Sequence, residues 1–188
     1  MRNSAFLFAA ILLSCFAVAQ QQPFPKVDFG LGFSFAQMHV PNSTSTTLMP
    51  GIQFDGTYNL NRWMGLTGEF TGQHHCLAGC FWDSSFSRQK AFTFVAGPRF
   101  ALRKSDRIVP WVHALGGVSN ISYSDDTGQD LATTSHAFVA GGGLDIKTGP
   151  VKVRAIQVDV LNHKVGTQRY NDLKIGVGVT IGFGQRSH

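Results

Sequence analysis

From Leu173 to Phe183 the chain alternates without a break. Leu173, Ile175, Val177, Val179, Ile181 and Phe183 fall on one side; Lys174, Gly176, Gly178, Thr180 and Gly182 fall on the other. Side chains on a β-strand alternate faces with period two, so this stretch predicts a strand with one wholly apolar face and one small or polar face. Its length suits a tilted strand crossing a bilayer, which needs about 9–11 residues. The bulk lies on the apolar face and glycine fills the other, so the large groups are expected to point outward into lipid.

Seven earlier segments repeat the scheme. At 27–36, Val27, Phe29, Leu31, Phe33 and Phe35 oppose Asp28, Gly30, Gly32, Ser34 and Ala36. At 51–60, Ile52, Phe54, Tyr58 and Leu60 oppose Gln53, Asp55, Thr57 and Asn59. At 64–73, Met64, Leu66 and Phe70 oppose Thr67, Glu69 and Thr71. At 91–102, Phe92, Phe94, Phe100 and Leu102 oppose Thr93, Gly97, Arg99 and Ala101, with Pro98 implying a bulge or a lost ladder bond. At 109–120 the alternation is blurred by Gly116 and Gly117, with Val112, Ala114 and Val118 read outward and His113 inward. At 136–147, Phe138, Ala140, Leu144 and Ile146 point out and Gly141, Gly143 and Asp145 in. At 151–162, Ile156, Val158 and Val160 oppose Gln157 and Asp159. Strict alternation puts Arg154 on the lipid side there, so it sits either at headgroup level or beside a bulge that shifts the register.

Eight strands follow, and their connections alternate long and short. The prediction is an all-β fold, an eight-stranded antiparallel up-and-down transmembrane β-barrel with long external loops and short periplasmic turns. With both ends in the periplasm, Tyr58, Trp63, Phe100, Trp111 and Phe183 fall near the periplasmic rim, and Phe35, Phe70, Phe92 and Phe138 near the external one. That distribution predicts two aromatic girdles.

A barrel this small is filled by side chains rather than by a water channel. The inward set includes Asp28, Asp55, Glu69, Arg99, His113, Asp145, Asp159 and Lys174. Buried charges must be paired and hydrogen-bonded. A lumen polar network of Asp55, Glu69, Arg99, His113, Asp145 and Asp159 is therefore expected, anchored by Arg99 on the strand next to Glu69. A structural polar core is preferred over an ion path.

The N-terminus changes the compartment. Arg2 precedes an apolar run from Ala5 to Phe16, and Ala17-Val18-Ala19 fits the small-x-small cleavage pattern, so residues 1–19 read as a signal peptide and 20–188 as the barrel domain. A competing reading takes Leu12-Leu13-Ser14-Cys15 as a lipobox that would lipidate Cys15. At 188 residues the chain is one domain, with a formal net charge of +5. Its Lys and Arg are not clustered as nucleic-acid binding requires, which argues against that partner. Membrane lipids and lipopolysaccharide phosphates are the expected neighbours. Cys76 and Cys80 form a close pair, and in an oxidising compartment a disulfide is the expectation. A zinc site of His74, His75, Cys76 and Cys80 is the sharper alternative, disfavoured because adjacent histidines in a loop need a supporting shell to converge. No metal or cofactor is expected.

Catalysis finds little support. Ser135-His136 at a loop mouth is a candidate pair for an outer-membrane lipid hydrolase, but it has no obvious acid partner.

AGPRF at 96–100, PWVHALGG at 110–117, GGGLDI at 141–146, RAIQVD at 154–159 and the last strand ending at Phe183 resemble the OmpA/OmpX-like outer-membrane β-barrel domain family in its stand-alone form. The resemblance covers about 27–183. It implies insertion into the outer membrane of a Gram-negative-type bacterium by the barrel-assembly machinery, which reads a final strand ending in an aromatic; here Gly184 to His188 follow Phe183. Roles in that family range over envelope integrity, adhesion and host interaction, and the reading adopted is a monomer without enzymatic activity, structural or acting through its loops. The rival from another class is a secreted, soluble, lipocalin-like barrel that turns its apolar faces inward around a small ligand.

Overall fold

The computed structural model describes residues 24–39, 46–76, 88–124, 130–149, 151–165 and 168–186. Its strands are β1 (Phe24–His39), β2 (Thr46–Asn59), β3 (Met64–Cys76), β4 (Arg88–Ala101), β5 (Ile108–Ser124), β6 (Asp130–Thr148), β7 (Val151–Val165) and β8 (Gln168–Arg186). Each pairs antiparallel with its sequence neighbours, and β1 pairs with β8, closing the barrel. Closure leaves no edge with unpaired backbone groups, the condition for crossing a bilayer with strands.

The bulky faces point outward. Ile175, Val177 and Val179 are 43%, 48% and 44% exposed, and Phe29, Phe33, Phe94 and Phe138 are exposed around the rest of the wall. Isolated in water, such a wall would be an aggregation surface; surrounded by acyl chains it is at home. The soluble ligand-binding arrangement requires the opposite orientation and is overturned by it.

The strands are longer than the alternation predicts, chiefly on the external side. β6 begins at Asp130 and β5 runs to Ser124, where a polar loop is expected from 120 to 135. Backbone pairing continues past the apolar band because the ladder does not depend on which side chains it carries. Residues 40–45, 77–87, 125–129 and 166–167 are outside the described residues. The expected signal segment also lies outside them.

Strand β5 alternates cleanly after all: Trp111, His113 and Leu115 are buried while Val112, Ala114 and Val118 are exposed. Trp111 is therefore no part of the periplasmic girdle. It shares a face with His113, two residues on, and points into the lumen at 3% exposure. Pro98 faces outward, and around it Gly97 and Pro98 drop out of the pairing with β5 while the register on either side is unchanged. A ladder bond is lost there without a bulge.

The bulge lies in β7. Leu144 pairs with Ile156 and Asp145 with Arg154, so the register of β6 slips by one residue; pairing with β8 slips between Arg154 and Gln157. Ala155 and Ile156 both face outward, and the phase of the strand reverses below them. Lys152 and Arg154 thereby turn inward together with Gln157 and Asp159.

Candidate functional site in the lumen

Reading up from the periplasmic end, the lumen is layered. Asp28 on β1 accepts hydrogen bonds from Lys152 on β7 at 2.6 Å and from Asn59 on β2 at 2.8 Å. Arg103, in the turn after β4, closes this layer from below. Its guanidinium donates to the Arg62 carbonyl at 2.6 Å and to Asn59 Oδ1 at 2.7 Å, and stands 3.7 Å from Asp28.

Above it lies a layer of two arginines and two aspartates. Arg154 donates to both carboxylate oxygens of Asp55, at 2.6 and 3.1 Å, and to Asp145 at 3.4 Å. Arg99 donates to Asp145 at 2.9 Å and lies 3.8 Å from Asp55. Trp111 packs beneath both guanidiniums, 4.0 Å from that of Arg99 and 5.0 Å from that of Arg154, and its indole N–H donates to Asp145 at 3.0 Å. An amphipathic ring suits this place, since its face meets cations and its edge supplies a donor.

The next layer is built on Glu69 and Asp159. The Lys174 ammonium donates to Glu69 and, at 3.0 Å, pairs with Asp159. His113 Nε2 lies 2.9 Å from Asp159. Gln157 donates to Glu69 at 3.2 Å and to Asp159 at 2.6 Å, and Gln53 donates to Glu69 at 3.1 Å. Ligand atoms of Glu69, His113 and Asp159 come within 4.8 Å of one another, the spacing of a metal site. Lys174 already holds the cation position between the two carboxylates, so the geometry is that of an ion-pair cluster.

Of the sequence-predicted network, Asp55, Glu69, Arg99, His113, Asp145 and Asp159 are all buried, but they divide between two layers. Arg99 does not reach Glu69. On β4 the residue opposite Glu69 is Val95, while Arg99 lies opposite Gly65, four positions lower. At about 3.4 Å per residue that separation exceeds the reach of the pair. Lys174 is the partner of Glu69 instead. The alternation missed Arg154 and Lys152 because the β7 bulge reverses their phase, and the one signal was an arginine standing where lipid would face it.

Over the Lys174 layer apolar side chains enter the lumen among buried polar ones such as Gln73, Gln89, Thr93 and Ser119. Ala36, Met38, Met49, Ala91, Val95, Leu115, Ile121, Ala137, Val139 and Leu161 form one buried cluster, with Met38 and Met49 fully enclosed. Between Thr71, Gln73, Thr93, Val139, Leu161 and Lys174 remains a void of about 10 Å³, close to the least space one water molecule needs. At the external mouth Asp172 accepts from the His39 backbone N–H at 3.2 Å, with His39 Nδ1 2.6 Å from the same oxygen; Tyr170 packs against both His39 and His163.

The outer surface carries the rest of the predicted aromatics. Tyr58, Trp63, Phe100 and Phe183 are exposed at the periplasmic end. Trp63 stacks on Phe100 at 5.9 Å and Phe183 meets Phe29 edge-on at 6.1 Å. Cys76 ends β3, but its side chain and all of Cys80 fall outside the described residues, as does the zinc alternative built on them.

The chain's relatives agree with this architecture. A profile of the outer membrane protein beta-barrel domain matches residues 6–184. The fold is similar to the crystal structure of Neisserial surface protein A, with a TM-score of 0.63 at 13% identity over 84% of this chain and 97% of that one. It is also similar to the N-terminal β-barrel domain of Pseudomonas aeruginosa OprF, with 0.54 at 13% over 86% and 100%. Ail, the attachment invasion locus protein of Yersinia pestis, gives 0.52 at 16% over 84% and 99%. These identities speak for the fold alone. No curated protein sequence matches the chain. With most of its length matched, the chain belongs to the outer membrane protein beta-barrel domain family, and its place is the outer membrane of a Gram-negative bacterium.

Proposed function

We propose that this barrel is a non-enzymatic structural protein of the outer membrane, monomeric and closed to ions, whose interactions are carried by its external side. The observation that supports this reading best is the filled lumen, where Lys174 is paired with Glu69 and Asp159 and the space beside it, among Thr71, Gln73, Thr93, Val139 and Leu161, is only about 10 Å³. An ion crossing the lumen would have to break the paired charges and shed its water to pass between closely packed side chains. In planar lipid bilayers the purified protein is expected to give no step conductance. A steady conductance of the kind an open pore gives would overturn the proposal.

Ser135 and His136 are neighbours on β6 and so point to opposite faces. The residues lining the hollow around them, Thr133, Thr134, Phe138, Asn162, Lys164 and Arg169, contribute no acid to complete a triad. This supports the non-enzymatic reading over a lipid hydrolase. The proposal includes export through the segment at 1–19, insertion by the barrel-assembly machinery, contact with lipopolysaccharide on the outer leaflet, and a Cys76–Cys80 disulfide.

A further inference from the structure

The periplasmic end of the barrel holds a cavity of about 390 Å³, lined by Arg62, Arg103, Lys147 and Lys152 together with apolar groups that include Phe24 and Phe183. We propose that this cavity binds a phosphate group, presented by a phospholipid headgroup of the periplasmic leaflet.

Charge is the first argument. No carboxylate is among the described residues lining the cavity. Lys152 and Arg103 share a single one, Asp28, behind the wall, at 2.6 and 3.7 Å. Lys147 makes no ion pair among the described residues, and Arg62 adds its charge at the same rim. Lys147, Lys152 and Arg103 thus bring three positive charges to the cavity against the one carboxylate that pairs with them. Burial also holds the Arg103 guanidinium below its ordinary range, because the nearby carboxylate only partly offsets desolvation. An anion seated between these groups relieves both.

Ligand chemistry follows from shape and place. Several cations around one hollow suit a tetrahedral anion with several oxygens, and guanidinium groups match phosphate particularly well. The volume lies within the roughly 300–1,000 Å³ of small-ligand sites. One wall is Phe183, which is 54% exposed on the lipid-facing surface. Trp63 and Tyr58 face outward at the same end, where aromatic rings mark the headgroup level. A headgroup phosphate could enter from the side while its acyl chains stay against Phe183. A soluble phosphate ester has the same anion but no use for that wall.

The test compares retained lipid by native mass spectrometry. Protein in mild detergent is offered phosphatidylglycerol or a diacylglycerol with the same acyl chains, with and without inorganic phosphate as competitor. The variant is Arg62→Glu/Lys147→Glu, which leaves the lumen network untouched; Lys90→Glu at the external end is the control. Heat-modifiable gel migration verifies that each variant is folded. Wild type and control are expected to retain phosphatidylglycerol over diacylglycerol by about tenfold, and the double variant to lose that preference. Equal retention of the two lipids, or an unchanged preference in the double variant, would overturn the site. Full displacement of lipid by millimolar inorganic phosphate would overturn the lipid source and assign the anion to solution.

Discussion

Arg154 on β7 clasps both oxygens of the Asp55 carboxylate on β2, across the lumen, at 2.6 and 3.1 Å. The pair bridges strands that are not neighbours in the barrel. Fork-to-fork contact is the strongest geometry open to these groups, and here it is almost wholly enclosed. Removing one partner strands the other: Arg154→Met leaves the more distant Arg99, at 3.8 Å, as the ion-pair partner of Asp55 among the described residues. The expected loss is about 3–5 kcal/mol, measured by urea unfolding in lipid vesicles. The double variant Asp55→Asn/Arg154→Met is expected to recover part of that loss, because no unpaired charge remains. Strictly additive losses would contradict the coupling.

How legible this was depends on the residue. Asp55, Glu69 and Asp159 could be placed in the lumen from alternation alone, because each sits in an unbroken run where neighbouring apolar residues set the phase. Which charge meets which could not, since pairing depends on the height of each residue in the barrel, and that is set by register and tilt. Arg99 was matched to Glu69 by strand adjacency and is four positions too low to meet it. Trp111 was legible in principle: it lies two residues from an inward histidine, but its aromatic character near a predicted rim suggested the girdle. The apolar cluster around Met38 and Met49 was not, because small and apolar residues facing inward look like a fading pattern rather than a second core.

The β7 bulge makes a counterintuitive prediction. Ala155 is the extra residue, and both it and Ile156 face outward. Deleting Ala155 joins Arg154 directly to Ile156 and restores strict alternation, leaving Asp145 opposite Arg154 and Leu144 opposite Ile156 as before. The deletion is expected to fold, with a stability change of about 1 kcal/mol or less, since no buried partner is lost. Inserting a second alanine after Ala155 keeps Arg154 and Gln157 on the inner face but puts two extra residues between the Leu144–Ile156 and Asp145–Arg154 pairs, so one side of β7 must slip along β6 and part Arg154 from Asp55 or Gln157 from Glu69. Heat-modifiable migration should survive the deletion and fail with the insertion.

Glycine on the inner face makes room for the network rather than only for the backbone. A Cβ placed on Gly30 would stand 2.8 Å from Asp55 Oδ2. No such contact is tolerated, so Gly30→Ala must push the carboxylate away from Arg154. Crowding in a packed interior costs about 1–3 kcal/mol. The loss should shrink when Asp55 is already asparagine and the clasp is gone, a non-additivity that vesicle unfolding of the single and double variants can detect. Gly68 is the control: a Cβ there meets nothing within 4 Å, so Gly68→Ala is expected to leave stability nearly unchanged.

The inward turn of Trp111 can be read by light. Trp63 is 44% exposed on the outer wall, stacked on Phe100, whereas Trp111 is 3% exposed with its indole N–H on Asp145. Brominated acyl chains quench an indole only on close approach. In variants retaining a single tryptophan, Trp63 emission is therefore expected to fall strongly in brominated-lipid vesicles, and Trp111 emission to change little. Two cations over its ring and a carboxylate at its edge should also hold the Trp111 spectrum insensitive to acyl chain length. Trp111→Phe keeps the ring but removes the donor, and is expected to cost about 1–3 kcal/mol because Asp145 loses a buried hydrogen bond. Strong bromine quenching of Trp111 would return it to the lipid-facing surface and remove the floor on which Arg99 and Arg154 rest.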